Sequence, residues 1–115
     1  MDIETLRNYC LNKKGVTESF PFDEKILVFK VMGKMFALCN IDDYTGVNLK
    51  CNPEYAIELR EKHIGITPGF HMNKKHWNTV SINSDVPPQL LTSLIDLSYT
   101  LVVKGLTKKQ REGLD

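Results

Sequence analysis

The sequence predicts an α+β fold in which an antiparallel sheet is covered on one face by helices. Strand-like segments follow one another directly and stop at a strong helix start, Asn52-Pro53-Glu54. Strands in a run, without strict alternation of strand and helix, are typical of antiparallel sheets rather than of βαβ units. The chain has 115 residues, so we expect one domain, residues 1–115, with a single hydrophobic core. Its 42% apolar and 25% charged residues exclude a disordered, collagen-like or coiled-coil chain.

Four helices are predicted, each from capping signals and apolar residues at helical spacing. Their predicted ranges are residues 3–13, residues 53–64, residues 87–104 and a short polar tail capped by Thr107. The second begins most clearly, because the N-cap Asn52 is followed by Pro53 at the first helical position. Ser84 or Asp85 is predicted to cap the third. Apolar residues cover more than a narrow stripe of that helix, so we expect it to pack on the sheet.

Strands are predicted where β-forming residues alternate or cluster between turn signals. Residues 26–31 and 35–41 flank Met32-Gly33-Lys34, which is a hairpin signature. Together with residues 45–51 they are expected to run as a meander. Further extended segments are predicted at Phe20-Pro21-Phe22, as an edge because proline cannot donate to a ladder, at residues 70–72 and at residues 77–83.

The charge and cysteine content limit the function classes. Fifteen Lys and Arg stand against 14 Asp and Glu, so the formal net charge is +1 and any basic site must be local. The N-terminus lacks the basic and apolar regions of a signal peptide, and no apolar stretch is long enough for a bilayer. We therefore expect a cytoplasmic protein with no membrane partner. Cys10, Cys39 and Cys51 are an odd number inside apolar patterns, which predicts buried free thiols.

An acid-free basic segment is the part of the sequence with the most unusual chemistry. Residues 62–84 contain no Asp or Glu, but they contain the single Trp and all three His. Lysine and histidine beside an exposed aromatic ring can neutralise phosphates and stack on a base. The candidate nucleic-acid-binding residues are His71, Asn73, Lys74, Lys75, His76 and Trp77, joined by Lys34 and Lys50 if the strands bring them near. The alternative is a solvated turn in which Trp77 is a buried anchor.

Metal binding and catalysis are weakly supported by the sequence. The histidine spacing matches no structural zinc module, and no pair of cysteines lies nearby, so no metal site is predicted. No P-loop, dinucleotide fingerprint or Gly-x-Ser-x-Gly motif occurs. We therefore expect no catalytic residues, no cofactor and no enzymatic activity.

Several segments, taken in order, carry a resemblance to a known family. The most specific is Pro68-Gly69-Phe70-His71-Met72-Asn73-Lys74-Lys75-His76-Trp77-Asn78-Thr79-Val80. Weaker ones are Val28-Phe29-Lys30-Val31, Gly33-Lys34-Met35-Phe36-Ala37-Leu38, Leu49-Lys50-Cys51-Asn52-Pro53-Glu54 and Ser98-Tyr99. Over nearly its whole length the chain resembles the MmcQ/YjbR family of small bacterial proteins.

The resemblance implies a CyaY-like (frataxin-like) fold and DNA binding through a double wing. It implies a first wing at the hairpin around Gly33-Lys34. The second wing would comprise His71, Asn73, Lys74, His76 and Trp77. A frataxin-like fold also suggests iron handling, but the first helix carries basic residues beside its acids, so the residues needed for iron do not carry over.

Two functions from different classes are therefore compared. The first, which is the function we predict, is weak, salt-sensitive and non-enzymatic DNA binding through the basic segment. The second is a protein- or small-ligand-binding module that uses the same surface of residues 71–77, and the near-zero net charge favours it. A concave apolar pocket beside His71 and Trp77 would support the second. A histidine within hydrogen-bond reach of a nucleophile in a cleft would instead indicate an enzyme.

Overall fold

Four α-helices and one β-sheet make up the computed structural model, which describes residues 1–114. The helices are α1 (Ile3–Leu11), α2 (Pro53–Lys62), α3 (Pro88–Lys104) and α4 (Lys108–Leu114). The strands are β1 (Val16–Ser19), β2 (Ile26–Val31), β3 (Lys34–Asn40), β4 (Gly46–Lys50), β5 (Ile66–Pro68) and β6 (Trp77–Ser81). All pairings are antiparallel, in the order β1-β2-β3-β4-β6-β5. The predicted α+β fold with an antiparallel sheet is confirmed.

The meander predicted for the first half of the chain is present and is one strand longer than expected. Met32 and Gly33 close the β2–β3 hairpin with φ values of 49° and 80°, the left-handed geometry that tight hairpin turns require. The prediction of an extended edge segment at Phe20-Pro21-Phe22 is wrong. The edge strand lies earlier, at Val16–Ser19, and pairs with β2. The Phe-Pro-Phe segment instead forms part of the exposed loop that follows.

Two further sequence predictions are wrong in the second half. Residues 70–72 form a turn rather than a strand, and His71 has a φ of 59° that a strand does not allow. The strand beside β6 is Ile66–Pro68. The predicted cap of α3 at Ser84 or Asp85 is also wrong, because Pro87 precedes this helix and makes no side-chain capping bond. The Asp85 carboxylate instead accepts the backbone N–H groups of Ile64 and Gly65 at 2.9 and 2.8 Å.

The helices cover one face of the sheet and enclose the main core. Its largest fully buried apolar side chains include Leu6, Phe29, Phe36, Val47 and Ile95. The β2–β3 pairing shifts register between Phe29 and Lys30, which leaves Phe36 without a pairing partner in β2. Buried Ser98 of α3 compensates, because its hydroxyl donates to the Phe36 carbonyl at 2.6 Å and accepts the Lys50 N–H at 2.9 Å. This side chain fixes α3 on β3 and β4.

The cysteines and the cap of α4 follow the sequence predictions, whereas α1 and α2 each end two residues earlier than predicted. All three thiols are free and buried, as predicted. Asp2 caps α1 by accepting the Thr5 N–H at 2.7 Å. Thr107 and Gln110 cap α4 reciprocally, with bonds of 3.1 and 2.9 Å. None of the helices within residues 1–114 combines the length and apolarity needed to span a bilayer.

Candidate functional site

The face of the sheet opposite the helices carries a second, smaller group of apolar side chains. We call this surface the open face. Its side chains alternate with those of the main core along each strand and include Ile26, Val28, Leu38, Asn48, Lys50, Trp77 and Thr79. One row crosses the sheet from Val28 through Leu38 and Asn48 to Thr79. Within residues 1–114 no helix packs on this face. The loop between β5 and β6 covers part of it instead.

Trp77 anchors that loop to the open face. Its side chain is only 8% exposed and packs with Val28 and Leu38, and Met72 of the loop also contacts this cluster. The buried-anchor alternative is therefore the one that the structure shows for Trp77. A ring packed in this way offers no free face for stacking on a base.

The loop of residues 69–76, which we call the covering loop, is held to the sheet by polar contacts. The Phe70 N–H donates to Thr79 Oγ1 at 2.9 Å, and the Phe70 carbonyl accepts Asn48 Nδ2 at 3.1 Å. Thr79 Oγ1 in turn donates to Asn48 Oδ1 at 2.5 Å. A Cβ at Gly69 would lie 2.7 Å from Trp77 Cβ, so only glycine allows this close approach. The loop is thus fixed by its own sequence.

Two of the predicted nucleic-acid-binding side chains serve to shape the covering loop. The Lys74 ammonium donates to the Gly69 carbonyl at 2.9 Å. Asn73 Oδ1 accepts the N–H groups of Lys75 and His76 at 2.9 and 3.3 Å. These polar groups stabilise the turn and are less available to a ligand than the sequence suggested.

A concave groove of about 480 Å³ lies on the open face, between the covering loop and the loop of residues 20–25. Leu38 and Ile26 contribute to its apolar lining, and Phe22 and Phe70 flank it although they are 63% and 67% exposed. The polar lining residues include Asn40, Asp43, Thr45 and His71, and no lysine or arginine lines the groove. The groove is a concave apolar pocket beside His71, as the ligand-binding alternative requires, but Trp77 is not among the residues that line it.

His71 belongs to the groove, whereas other predicted basic residues lie at one end of the sheet. His71 packs its ring against Phe70, with centroids 4.0 Å apart. The strand register places Lys34 and Lys50 at the same end, and the Cys51 N–H donates to the His76 carbonyl at 2.8 Å. Lys75 is exposed in the same part of the covering loop. We call the end with Lys34, Lys50, Lys75 and His76 the basic end.

His71 is the one lining residue of the groove that the sequence analysis named as a site residue, and Phe22, Phe70 and Asp43 are among those it missed. Phe22 and Phe70 were assigned to extended segments, and Asp43 was not named as a site residue. The sequence did contain a signal for Phe22 and Phe70, because each follows a turn-forming residue, Pro21 or Gly69. Such loops run over the surface, so a phenylalanine in one of them indicates an exposed ring. Asp43 had no signal of its own, because only the fold brings its turn to the groove.

The structure offers little support for a metal centre or a catalytic pair. Within residues 1–114, no three His, Cys, Asp or Glu side chains are grouped closely enough to hold a metal ion. His63 Nδ1 lies 3.6 Å from Asp85 Oδ2, but that carboxylate already caps backbone N–H groups and lies outside the groove.

The open six-stranded sheet, with helices on one face and a loop-walled groove on the other, defines the structural class of this α+β protein. The YjbR family model matches residues 11–101, and the chain belongs to the YjbR family. The chain is 35% identical to Escherichia coli K12 YjbR over 99% of this chain and 98% of that one. It is also 36% identical to YbdF of Escherichia coli O157:H7, over 95% and 90%. Both relatives are described as uncharacterized proteins.

Solved structures agree with this assignment. The crystal structure of Deinococcus radiodurans protein DR2400, a DUF419 domain, is similar with a TM-score of 0.90 and 44% identity, covering 97% of this chain and 86% of that one. The resemblance to the MmcQ/YjbR family is thereby confirmed, together with the fold class.

Proposed function

We propose that the protein is a non-enzymatic binding module that holds a small apolar or aromatic ligand in the groove of the open face. The observation that carries the proposal is the apolar groove of about 480 Å³ with two exposed phenylalanines at its walls. Small-molecule sites are typically concave, mostly apolar and about 300–1,000 Å³ in volume. Large exposed apolar side chains that share one concavity indicate a surface that a partner covers.

The rigidity of the groove supports this function. Asn48 and Thr79 bind the backbone of the covering loop and each other, so these polar groups of the groove are already satisfied before a ligand enters. Trp77 and Met72 fix the same loop from the side of the apolar cluster. A pre-formed site loses less conformational entropy on binding than a flexible one.

Removing either aromatic wall should weaken ligand binding. A neutral aromatic probe, indole, should shift the amide resonances of the groove saturably in a titration followed by ¹H–¹⁵N NMR. Phe22→Ala and Phe70→Ala should each reduce its affinity by roughly tenfold, since each ring contributes on the order of 1–2 kcal/mol of apolar contact. Ile64→Ala is the matched control, because Ile64 is 91% exposed and lies outside the groove. Unsaturable shifts scattered over the surface, or an affinity equal to that of the parent protein in both phenylalanine variants, would contradict the proposal.

DNA binding through the basic end is the second candidate function. The register brings the β2–β3 turn and the end of the covering loop to one end of the sheet, and the family resemblance implies that these two segments are wings. Trp77 is buried and Lys74 is engaged with Gly69, so the phosphate contacts left for this candidate are Lys34, Lys50 and Lys75.

A salt titration with duplex DNA tests this candidate. Three phosphate contacts should give a plot of log affinity against log salt with a slope of about −3, and Lys34→Ala with Lys75→Ala should reduce its magnitude by about two. The double variant Lys25→Ala with Lys62→Ala changes the charge equally at exposed sites at the opposite end of the sheet and should keep the slope. If binding is undetectable at low salt, or both double variants lose it alike, the basic end is not a DNA site.

A further inference from the structure

We infer that the groove selects small amines, in which a positively charged head group is joined to an apolar body. This inference rests on the proposed function and adds the charge of the ligand to it. It depends on the polar end of the groove, where Asp43 is the single carboxylate among the lining residues and has no lysine or arginine beside it in the lining.

The two adjacent acids of the β3–β4 turn are in different situations. Asp42 lies 3.8 Å from the ammonium group of Lys25, so it has a cationic partner on the surface. Asp43 lines the groove, and the bond between its Oδ1 and the Thr45 N–H, at 3.4 Å, is a long one. Within residues 1–114, no cation pairs with Asp43. Asp43 is exposed, so its carboxylate is accessible to the ammonium group of a ligand in the groove.

The turn that carries Asp43 is held firmly against the rest of the protein. Asn40 Oδ1 accepts the Asp42 N–H at 2.8 Å. The Tyr44 N–H donates to the Asn40 carbonyl at 3.0 Å, and the Tyr44 hydroxyl donates to the Met1 carbonyl at 2.9 Å. Because both sides of Asp43 are fixed, its carboxylate keeps its place at the groove without a ligand.

The charge distribution of the open face points the same way. The β3–β4 turn and the loop before β2 lie at the same end of the sheet. Lys25 is the only base within residues 20–25 and 40–45, whereas the acids there are Asp23, Glu24, Asp42 and Asp43. Backbone N–H groups of Lys25 and Ile26 hold the pKa of Asp23 below its ordinary value, so this acid stays ionised. A field of this sign favours cations at the polar end of the groove.

The aromatic walls fit the same ligand. Phenylalanine rings attract an ammonium group through their faces. The apolar part of an arylalkyl amine would lie over Leu38 and Ile26, between Phe22 and Phe70. The groove is flanked by the two loops and its volume of about 480 Å³ is that of a small-molecule site, so the occupant we assign is a free small molecule rather than a peptide segment.

Three probes with the same phenyl body and different head groups test the inference. They are phenethylamine, 2-phenylethanol and 3-phenylpropionate, each titrated into the full-length ¹⁵N-labelled protein. We expect the amine to bind about tenfold more tightly than the alcohol, as expected for one added charge-assisted contact, and the carboxylate to bind most weakly. Asp43→Asn should bring the amine to the affinity of the alcohol and leave the alcohol unchanged. An asparagine oxygen can still accept the Thr45 N–H, so the turn should be preserved.

Asp42→Asn is the matched control, because it removes the same charge from the neighbouring residue, which pairs with Lys25 instead of lining the groove. It should keep most of the preference for the amine, because the carboxylate that lines the groove is still present. If the three probes bind equally at the groove, the charge inference fails and the proposed function stands. If none of them binds there, the proposed function fails as well. A short peptide with one lysine that binds more tightly than phenethylamine would overturn the assignment of a free amine.

Discussion

Replacing Trp77 with alanine is expected to lower the free energy of unfolding by about 3–5 kcal/mol, the usual cost of deleting a large buried aromatic side chain. The ring is 8% exposed and is the largest member of the small cluster with Val28 and Leu38. Its loss would leave a void on the open face, where no helix can move in to fill it. Denaturation with urea, followed by far-ultraviolet circular dichroism because the single tryptophan is gone, measures the effect.

Two variants make this result specific to the anchoring role. Trp77→Phe keeps a ring in the cluster and should recover part of the loss. Phe70→Ala removes an aromatic ring from the same loop, but Phe70 is 67% exposed, so its stability should change by less than about 0.5 kcal/mol. A Trp77→Ala protein that is as stable as the Phe70→Ala variant would show that Trp77 does not anchor the loop. We also expect Trp77→Ala to lose the indole response of the groove, since the covering loop would be released.

The strands that could be predicted from the sequence are those whose own residues carry the signal. In β2, β3 and β4, runs of β-forming residues or their alternation with polar ones report directly on burial by the core. Strands β1 and β5 were missed because they are edge strands of four and three residues with many exposed positions. Their conformation comes from pairing with β2 and β6, which are distant contacts that a local pattern does not contain.

The candidate site was predicted in part for the same reason. The sequence located the segment with His71 and Trp77, and it posed the right alternative for the ring, because an acid-free stretch is visible without a fold. It could not show that the Lys74 ammonium turns back to the Gly69 carbonyl. The sequence also could not show that Phe22 and Asp43 line the groove. Phe22 is placed there by β2, which follows it, and Asp43 by β3, which precedes it.

Alkaline pH is expected to unfold the protein, starting near pH 9 and completed before about pH 12. Burial raises the pKa of the Cys10 thiol to about 12 from an ordinary value of 9.0, and it raises the pKa of Cys39 and Cys51 to about 11. The hydrogen bond from the Tyr9 hydroxyl to the Asp96 carboxylate raises the pKa of Tyr9 to about 12 from 10.0. Burial raises the pKa of Tyr44 to about 12 as well.

The direction of the effect follows from which state holds the proton. Below pH 9 the folded and unfolded chains both carry these protons, so the stabilisation is fully present. As the pH rises from 9 towards 12, the unfolded thiols and phenols lose their protons while the folded ones keep them. Each buried thiol then lowers the free energy of unfolding by about 1.4 kcal/mol per pH unit. Over its window Cys10 alone accounts for about 4 kcal/mol, a large part of the 5–15 kcal/mol of a typical domain.

Urea denaturation at a series of pH values measures this slope, and Cys10→Ala should make it shallower by one proton. That variant loses some stability at neutral pH because it removes a buried sulfur, so the slope rather than the stability is the test. Val47→Ala is the matched control, since Val47 is fully buried and does not titrate, and it should lower the stability while keeping the slope of the parent. If Cys10→Ala keeps the parent slope, or if thiolate absorbance of the folded protein rises near pH 9, the Cys10 thiol does not supply the alkaline instability. The steepness of the transition thus reports on how completely the core excludes water from the sulfur of Cys10.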